Sequence, residues 1–241
     1  MISYNRSIPS STWQLAWGIN TLQEQATWQD QKIAIFTSDQ SEPKQISFSP
    51  SQRFVIIGEA WISERKVLSD TNETLTDLQL IAKAWETWGV ATFSKLVGVF
   101  SLAVWDREQQ KLWLARDRIG AKTLYYTTNG KTCWAAPNLK SLAPHHSQEI
   151  DLVALRDYLC CGFVPGARTM WQQVQELRPG TMLSFPEAQI QPYWQLQEGS
   201  AANSLTEKGS LEWHGKQLRT LLEQVVQEYL PASEPVGVFL S

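Results

Sequence analysis

The sequence has few cysteines and no long apolar run. Three of its 241 residues are cysteine, Cys133, Cys160 and Cys161, and three thiols cannot all pair within one chain. We therefore expect reduced thiols and a cytoplasmic location. No apolar run approaches the roughly 20 residues of a membrane helix, and the N-terminus lacks a basic segment followed by an apolar one, so neither a membrane partner nor a signal peptide is expected.

Charge is also sparse. Charged residues make up 19% of the chain, the net charge is -3, and Lys and Arg are dispersed, which argues against a nucleic-acid partner. The adjacent pair His145-His146 lacks Cys, Asp or Glu at ligand spacing, so no metal site is predicted and the pair is expected in a solvated loop. Hydrophobic residues make up 43%, which excludes disorder.

The strongest structural signal lies in residues 96–126. From Val97 to Trp105 nearly every side chain is apolar or small, which predicts a strand buried on both faces. The polar residues 106–110 predict a hairpin into a second strand at 112–115. A further strand at 123–128 leads to Asn129-Gly130, a dipeptide that suits a type I′ turn.

Other strands and one helix are predicted from local patterns. Strands are expected at 32–36 and at 54–57, the second ending at Gly58-Glu59. Thr76 and Gln79 have the spacing of a capping box, and apolar residues then recur at helical spacing up to Gly89, so this helix is predicted to bury its tryptophans.

A second helix is predicted between Asp151 as its N-cap and Gly162 as its stop. Its apolar residues are expected to point inward, and its two cysteines are expected to be buried. The residues concerned are Leu152, Leu155, Tyr158, Leu159, Cys160 and Cys161.

The composition of the chain changes after residue 197. Residues 198–210 are polar and small, which predicts a linker. A helix is expected from Leu211 until Pro231, followed by a buried strand at 236–240. Because a sequence rarely ends inside a core strand, we expect a continuation beyond Ser241.

These segments together resemble the asparagine synthetase family over about residues 28–241. The segments that carry the likeness are GVFSLAVWD (98–106), LARDRIGAKTLYY (114–126), LKSL (139–142), GFVP (162–165), ELRPG (176–180) and PVGVFLS (235–241). The resemblance implies an α+β fold, an N-terminal-nucleophile-hydrolase-like αββα sandwich of two antiparallel sheets, followed by the first helix and strand of an α/β ATP-pyrophosphatase domain. The implied domains are a class II glutamine amidotransferase-like domain at 1–197, a linker at 198–210 and a truncated ATP-pyrophosphatase domain at 211–241.

In that family the glutaminase nucleophile is a cysteine at the mature N-terminus, whose thiolate attacks the glutamine amide. Here Ile2 follows Met1, and no cysteine occurs before Cys133. The resemblance therefore implies that the catalytic nucleophile is absent.

The rest of the family's glutamine pocket is partly retained. The family's Asn-Gly-Glu matches Ile57, Gly58 and Glu59, so the glycine N–H and the glutamate remain, while the Asn donor is lost. The family's substrate-clamping Arg motif has no counterpart in residues 36–49. Asp77 matches the aspartate that holds the substrate amine. Glu59 can equally be an exposed strand-end acid, and Asp77 a first-turn acid stabilised by the helix dipole.

Two further parts of the resemblance concern residues outside this pocket. Leu240 and Ser241 match the entry to the family's pyrophosphate-binding loop, whose glycines do not follow here. No cofactor is therefore expected for this chain alone, whereas a full-length family member would take ATP and Mg²⁺. The charged motif at 116–118 is expected to brace strand ends and the domain junction rather than to act in catalysis.

Three functional hypotheses follow. The first is the N-terminal part of an asparagine synthetase-type ATP-dependent amide ligase that lacks glutaminase activity and uses ammonia or a substrate amine as its nitrogen source. The sequence of residues 58–68 resembles the β-lactam synthetase and lasso-peptide cyclase branches more than the glutamine-hydrolysing members. The second is a non-catalytic scaffold or regulatory module that binds glutamine, another amino acid or a protein. The third, self-processing to expose Ser3, requires removal of Met1 and Ile2. The expected partner is an ATP-pyrophosphatase domain, and homodimerisation stays open.

Overall fold

The protein is described by a computed structural model, which covers residues 13–19, 26–37, 45–68, 75–196, 210–230 and 235–238. Ile2, Leu240 and Ser241 lie outside the described residues, as does the predicted linker except for its last residue. The predictions made for these positions therefore stay predictions.

The described residues form twelve strands and five α-helices. The strands are β1 Trp13–Trp17, β2 Trp28–Asp30, β3 Ile33–Thr37, β4 Ile46–Phe48, β5 Phe54–Ile62, β6 Gly98–Asp106, β7 Lys111–Arg116, β8 Tyr125–Thr128, β9 Cys133–Ala136, β10 Val174–Glu176, β11 Thr181–Phe185 and β12 Gln189–Pro192. The α-helices are α1 Asp77–Trp88, α2 Thr92–Lys95, α3 Leu139–Leu142, α4 Leu152–Cys161 and α5 Leu211–Tyr229. Short 3₁₀ turns occur at Arg65–Val67, Gly89–Ala91 and Ala143–His145.

The strands make two antiparallel six-stranded sheets. The first has the order β10-β8-β9-β1-β3-β2, and the second has the order β12-β11-β7-β6-β5-β4. In the second sheet β6 lies between β5 and β7, which pair with it along Phe54↔Asp106 to Ile62↔Gly98 and along Ser101↔Arg116 to Asp106↔Lys111. The predicted hairpin at 106–110 is confirmed.

Three clusters of buried apolar side chains show how the sheets and helices pack in layers. One contains inward side chains of both sheets, including Trp13, Trp105 and Phe185. A second joins the outer face of the second sheet to α1, and a small third cluster joins the outer face of the first sheet to α3. This is the predicted α+β sandwich of two antiparallel sheets between helices.

Strand β6 is buried on both faces, as predicted. Phe100, Leu102 and Val104 belong to the cluster under α1, whereas Ala103 and Trp105 belong to the cluster between the sheets. Residues on a strand alternate between its faces, so one strand contributes to both cores. The central strand is thus the element around which the two cores are built.

Helix α1 begins with the predicted capping box. The Thr76 hydroxyl accepts the backbone N–H of Gln79, and the Gln79 side chain accepts the backbone N–H of Thr76 at 2.9 Å. Trp85 is buried in the cluster between α1 and the second sheet, where its ring lies 4.9 Å from that of Phe93. Trp88 is only partly buried and packs against the same cluster. The predicted capping box is therefore confirmed, and the predicted burial of the tryptophans is confirmed for Trp85.

Strand β5 is longer than the sequence predicts. It continues beyond Ile57 and Gly58 to Ile62, and Gly58 lies opposite Leu102. Gly58 has φ +134°, and a Cβ at this position would lie 2.1 Å from the carbonyl oxygen of Ser101. The glycine therefore permits a close approach of two backbones within the sheet and does not end the strand.

The turn between β8 and β9 also differs from the prediction. A type I′ turn needs positive φ at both central residues, but only Gly130 of the pair has it, at +83°. Thr128 pairs with Cys133, which leaves a four-residue loop. The Asn129 side chain accepts the N–H groups of Lys131 and Thr132 at 3.0 and 2.9 Å, so it stabilises the turn through its amide oxygen.

Helix α4 has its predicted ends, but the prediction that its apolar face is buried was wrong. Asp151 caps it and Gly162 ends it in the left-handed conformation. Leu152 and Leu159 are 73% and 75% exposed, Tyr158 is exposed and Leu155 is only partly buried. Cys160 and Cys161 are exposed as well. Helical periodicity tells which residues share a face and does not tell that another element covers that face.

The described residues fall into two compact units. The first contains both sheets and the described residues from 13 to 195, whereas α5 and residues 235–238 belong to the second. Helix α5 has no buried residue within the described part of the chain. Residues 235–238 are outside any strand, and Val236 and Val238 are exposed, so the start of the predicted buried strand is not observed there. No helix in the described part of the chain combines the length and apolar character needed to cross a bilayer.

Candidate functional site

Three of the residues predicted for the pocket lie in the middle of β5. This strand is held between β4 and β6, with Ile57 opposite Ile46 on one side and Ala103 on the other. Gly58 and Glu59 follow, beyond the last pair with β4, opposite Leu102 and Ser101 of β6. The sheet thus fixes the backbone of all three predicted residues on at least one side.

Ile57 has no exposed surface and belongs to the cluster between the sheets. Its side chain is a hydrocarbon and has no donor for a hydrogen bond. A residue in this position contributes to the core and cannot stabilise a developing negative charge.

The backbone N–H of Gly58 is already used. It donates to the carbonyl oxygen of Gln45, just before β4, at 2.9 Å. An N–H that belongs to such a bond must lose it before it can bind an anion. In the observed conformation Gly58 therefore supports the sheet edge.

Glu59 forms an ion pair with Lys122. The Lys122 ammonium lies 2.7 Å from the Glu59 carboxylate, and the two side chains are 24% and 21% exposed. Lys122 lies in the connection between β7, in the second sheet, and β8, in the first. The ion pair thus links the middle of β5 to the segment that joins the two sheets.

The residues before Lys122 make a rigid loop. Asp117 has no exposed surface, and its carboxylate accepts the N–H groups of Ile119, Ala121 and Lys122 at 3.2, 2.9 and 2.9 Å. The Arg116 guanidinium donates to the carbonyl oxygens of Gly120 and Lys122 at 2.9 and 2.6 Å. Arg116 also pairs with Glu176 and donates to the carbonyl oxygen of Leu177. These contacts agree with the predicted bracing of strand ends by this charged motif, whereas its predicted role at the domain junction stays a prediction.

Asp77 has different partners from Glu59. It is the first residue of α1, and its carboxylate accepts the backbone N–H of Ile62 at 3.1 Å and pairs with Arg65. These contacts fasten the end of β5 and the following 3₁₀ turn to the helix. In the observed conformation the Asp77 carboxylate contacts groups of the chain itself, and the two carboxylates pair with separate cations.

The sequence analysis did not predict which basic side chains pair with these two carboxylates. Lys122 lies 63 residues from Glu59, and Arg65 lies 12 residues from Asp77. No pattern in the sequence links Lys122 to Glu59, because their contact depends on how β7 and β8 cross between sheets. Arg65 could have been considered, since it precedes the same helix.

The cysteines are not arranged as nucleophiles within the described part of the chain. Cys133 is completely buried in β9, and burial raises the pKa of its thiol, which disfavours the thiolate. Cys160 and Cys161 are exposed in the last turn of α4. Cys133 belongs to the sheet that does not contain Gly58, and its side chain lies in the apolar cluster between the two sheets.

No group of three metal-ligating side chains is present among the described residues. The prediction that His145 and His146 lie in a solvated loop was wrong, because both side chains are partly buried. The His145 ring stacks on Trp134 with centroids 3.5 Å apart, and the His146 ring lies 5.7 Å from that of Trp171. Burial, and then the neighbouring His146, lower the pKa of His145.

A cavity of about 630 Å³ is lined by no residue of β5. It lies between the β8–β9 and β11–β12 hairpins, and its lining includes Tyr126, Trp134, Gln175 and Phe185. None of the four predicted pocket residues lines it. The cavity and the predicted site are separate features.

The sequence is similar to glutamine amidotransferase domains of known proteins. The sequence model of the family described as glutamine amidotransferase domain matches residues 28–194. Asparagine synthetase [glutamine-hydrolyzing] 1 of Bacillus subtilis is 30% identical over 175 residues, which cover 71% of this chain and 27% of the relative. Amidase chry2 of Gibberella zeae is 30% identical over 171 residues, which cover 69% of this chain and 25% of the relative. The chain thus spans about a quarter of the length of the curated relatives it matches.

Among solved structures, glutamine phosphoribosylpyrophosphate amidotransferase from B. subtilis, in complex with ADP and GMP, has a TM-score of 0.44 at 13% identity. The match covers 68% of this chain and 36% of that chain.

Proposed function

The chain belongs to the family of glutamine amidotransferase domains of the asparagine synthetase type, and we propose that it is a member that does not hydrolyse glutamine. In this proposal it is the glutaminase-like part of an ATP-dependent amide ligase. The nitrogen for the amide comes from free ammonia or from an amine on the substrate.

One observation carries the proposal, and it concerns the two positions expected to stabilise an oxyanion. Hydrolysis of an amide passes through a tetrahedral intermediate whose negative oxygen needs donors aimed at it. Here Ile57 is a buried hydrocarbon, and the Gly58 N–H donates to Gln45. Losing one such donor typically slows catalysis by about 100- to 1000-fold.

The nucleophile supports the same proposal. A glutaminase of this family requires a thiolate next to the oxyanion donors. Cys133 is buried in the other sheet with a raised thiol pKa, and Cys160 and Cys161 lie on the surface of α4. No described cysteine is available to attack an amide held at the middle of β5.

The ligase part of the proposal rests on the relatives. The chain matches about a quarter of the B. subtilis asparagine synthetase, so we propose that a separate ATP-pyrophosphatase domain performs the amide-forming step. ATP would supply an adenylate leaving group there. The described residues 235–238 are Pro, Val, Gly and Val, and offer no side chain that binds phosphate or Mg²⁺. They do not fit the nucleotide by themselves, and we assign them no catalytic step.

The proposal is tested with a diazoketone analogue of glutamine, which alkylates a glutaminase nucleophile. Intact-mass analysis should show no adduct on this protein after treatment that fully labels the B. subtilis glutamine-hydrolysing relative. A stoichiometric adduct that excess L-glutamine prevents would overturn the proposal. The ligase part is tested on the protein with its continuation. If free ammonia is the nitrogen source, AMP should form from ATP and L-aspartate with ammonium chloride and not with L-glutamine alone.

A further inference from the structure

We propose that the cavity between the β8–β9 and β11–β12 hairpins binds a small uncharged saccharide. Its volume of about 630 Å³ lies within the range of small-molecule sites, which is roughly 300 to 1,000 Å³. The cavity is lined by neither Glu59 nor Asp77, so the proposal is independent of the glutamine pocket and of the proposed function.

Each sheet supplies one wall of the cavity. In the first sheet β8 extends past its last pair with β10, Val174↔Thr127, into the turn that joins it to β9. In the second sheet the turn after Ser184↔Gln189 joins β11 to β12 and contributes to the lining. Because the backbone of each wall is held in a hairpin, the cavity is a preformed feature of the fold.

The most buried lining residues form an apolar floor. Tyr126, Leu183 and Phe185 are 6%, 2% and 2% exposed, and all three belong to the core between the sheets. The Phe185 ring lies 5.0 Å from that of Trp17, which restricts its movement. A pyranose ring carries several C–H groups, and such a floor can bury them.

Gln173 and Gln175 offer hydrogen-bond donors to the cavity. The Gln173 side-chain oxygen accepts the backbone N–H of Ser147 at 3.0 Å, and the Gln175 oxygen accepts the Tyr126 hydroxyl at 2.5 Å. An amide whose oxygen is held in this way has its NH₂ group left for other partners. Neither NH₂ group donates to the part of the chain that the structure describes.

Two further amides add a donor and an acceptor. The Asn129 oxygen is held by the backbone of its own turn, which leaves its NH₂ group as a donor. Gln172 has the opposite arrangement, because its NH₂ group donates to the carbonyl oxygen of Ile150 at 3.3 Å and its oxygen accepts no bond from the described residues. A sugar hydroxyl both accepts and donates, so it can bond to either kind of group. Several hydroxyls on one small ring match this arrangement better than a ligand with acceptors alone.

The lining carries no charge at neutral pH. None of the described residues that line the cavity is Asp, Glu, Lys or Arg. Burial raises the pKa of Tyr126 to about 12 and lowers the pKa of His145, whose ring stacks on Trp134, so both side chains are neutral. A charged ligand would lose part of its hydration without gaining an opposite charge, whereas an uncharged saccharide loses less.

The proposal is tested by NMR titration of the ¹⁵N-labelled protein with maltose, cellobiose and lactose. At least one of these disaccharides should shift the signals of lining residues, with a dissociation constant of about 1 to 10 mM. The analogues of that disaccharide that carry an amino group or a carboxylate should bind at least about tenfold more weakly.

Gln173→Glu and Gln175→Glu test the two amides directly, because each variant keeps the oxygen that the chain holds and removes only the NH₂ donor. Each should weaken disaccharide binding about fivefold. Gln191→Glu adds the same charge on β12 outside the cavity and should leave the affinity unchanged. Gln173→Ala and Gln175→Ala replace the Glu variants if these do not give a folded spectrum.

The proposal is overturned if none of the three disaccharides shifts the signals of lining residues, or if the charged analogues bind as tightly as the neutral sugar. It is also overturned if the Gln191→Glu control loses as much affinity as the two cavity variants. These outcomes leave the absence of glutaminase activity untouched. Adduct formation or glutamate release by the wild type would instead contradict the proposed function itself.

Discussion

The backbone N–H of Gly58 donates a hydrogen bond to the carbonyl oxygen of Gln45, with 2.9 Å between nitrogen and oxygen. This bond extends the pairing of β5 with β4 by one residue beyond Ile57↔Ile46. The glycine that the family resemblance assigns to an oxyanion is therefore part of the sheet. Its positive φ is explained by the close approach of the Ser101 carbonyl.

Replacing Ile57 with the family's asparagine should destabilise the protein and restore no activity. The side chain is completely buried in the core between the sheets, so Ile57→Asn loses apolar burial and adds an amide without designated partners. We expect the free energy of unfolding to fall by about 4 kcal/mol in urea denaturation.

The matched variant for this position is Ile57→Val, which removes one methylene and should cost about 1 kcal/mol. If Ile57→Asn costs no more than Ile57→Val, the side chain faces a hydrated pocket, and the assignment of position 57 to the core is wrong.

Asp117→Asn should destabilise the loop that carries Lys122. The carboxylate accepts three backbone N–H groups, and an amide in its place brings a donor toward some of them. We expect a loss of about 3 kcal/mol in the free energy of unfolding. Glu187→Gln, in an exposed pair with Lys111, should cost at most about 1 kcal/mol. Equal losses in the two variants would contradict the bracing role.

Acid should weaken the protein through Asp106. Burial alone would raise the pKa of this carboxyl, but hydrogen bonds from Arg53 and from the backbone N–H groups of Gln109 and Glu108 outweigh it, and the pKa lies below its usual value. Because its pKa is lower in the folded state, the ionised Asp106 carboxylate stabilises the folded protein, and this contribution is complete above the unfolded-state pKa of about 3.9. The contribution is lost as the pH falls through the lower folded-state pKa. Urea titrations should show a stability difference between wild type and Asp106→Asn that is full above about pH 5 and shrinks below about pH 4. A difference that does not change between these values would refute the assignment.

Removal of the capping box should destabilise α1. Thr76→Ala deletes the acceptor for the Gln79 N–H, and we expect a loss of about 1 kcal/mol in thermal or urea unfolding. Thr76→Ser keeps the acceptor and should stay close to the wild type. A Thr76→Ala protein as stable as the wild type would show that tertiary contacts alone define the helix start.

Local sequence patterns correctly predicted the features that depend on nearby residues, such as helix ends. The capping box at Thr76 and the ends of α4 at Asp151 and Gly162 depend on neighbours in sequence. The burial of both faces of β6 was indicated by its unbroken run of apolar and small residues. The exposure of Leu159 was not predictable in the same way, because periodicity defines a face without defining what covers it.

Only part of the candidate site could be predicted from the sequence. The substitution at Ile57 and the retained Glu59 and Asp77 follow from the family resemblance. The engagement of Gly58 by Gln45 and of Glu59 by Lys122 could not be read from the sequence, since both contacts arise from strand pairing and from the crossing between sheets. The side-chain role of Asn129 was missed because an Asn-Gly dipeptide suits more than one turn.

The central claim is that this amidotransferase-type domain does not hydrolyse glutamine, and the most direct test is glutamate release from L-glutamine. We predict no glutamate above the buffer blank for the wild-type protein, under conditions in which the B. subtilis glutamine-hydrolysing relative turns over. Glutamate release at a rate comparable to that relative, proportional to the protein concentration, would contradict the claim.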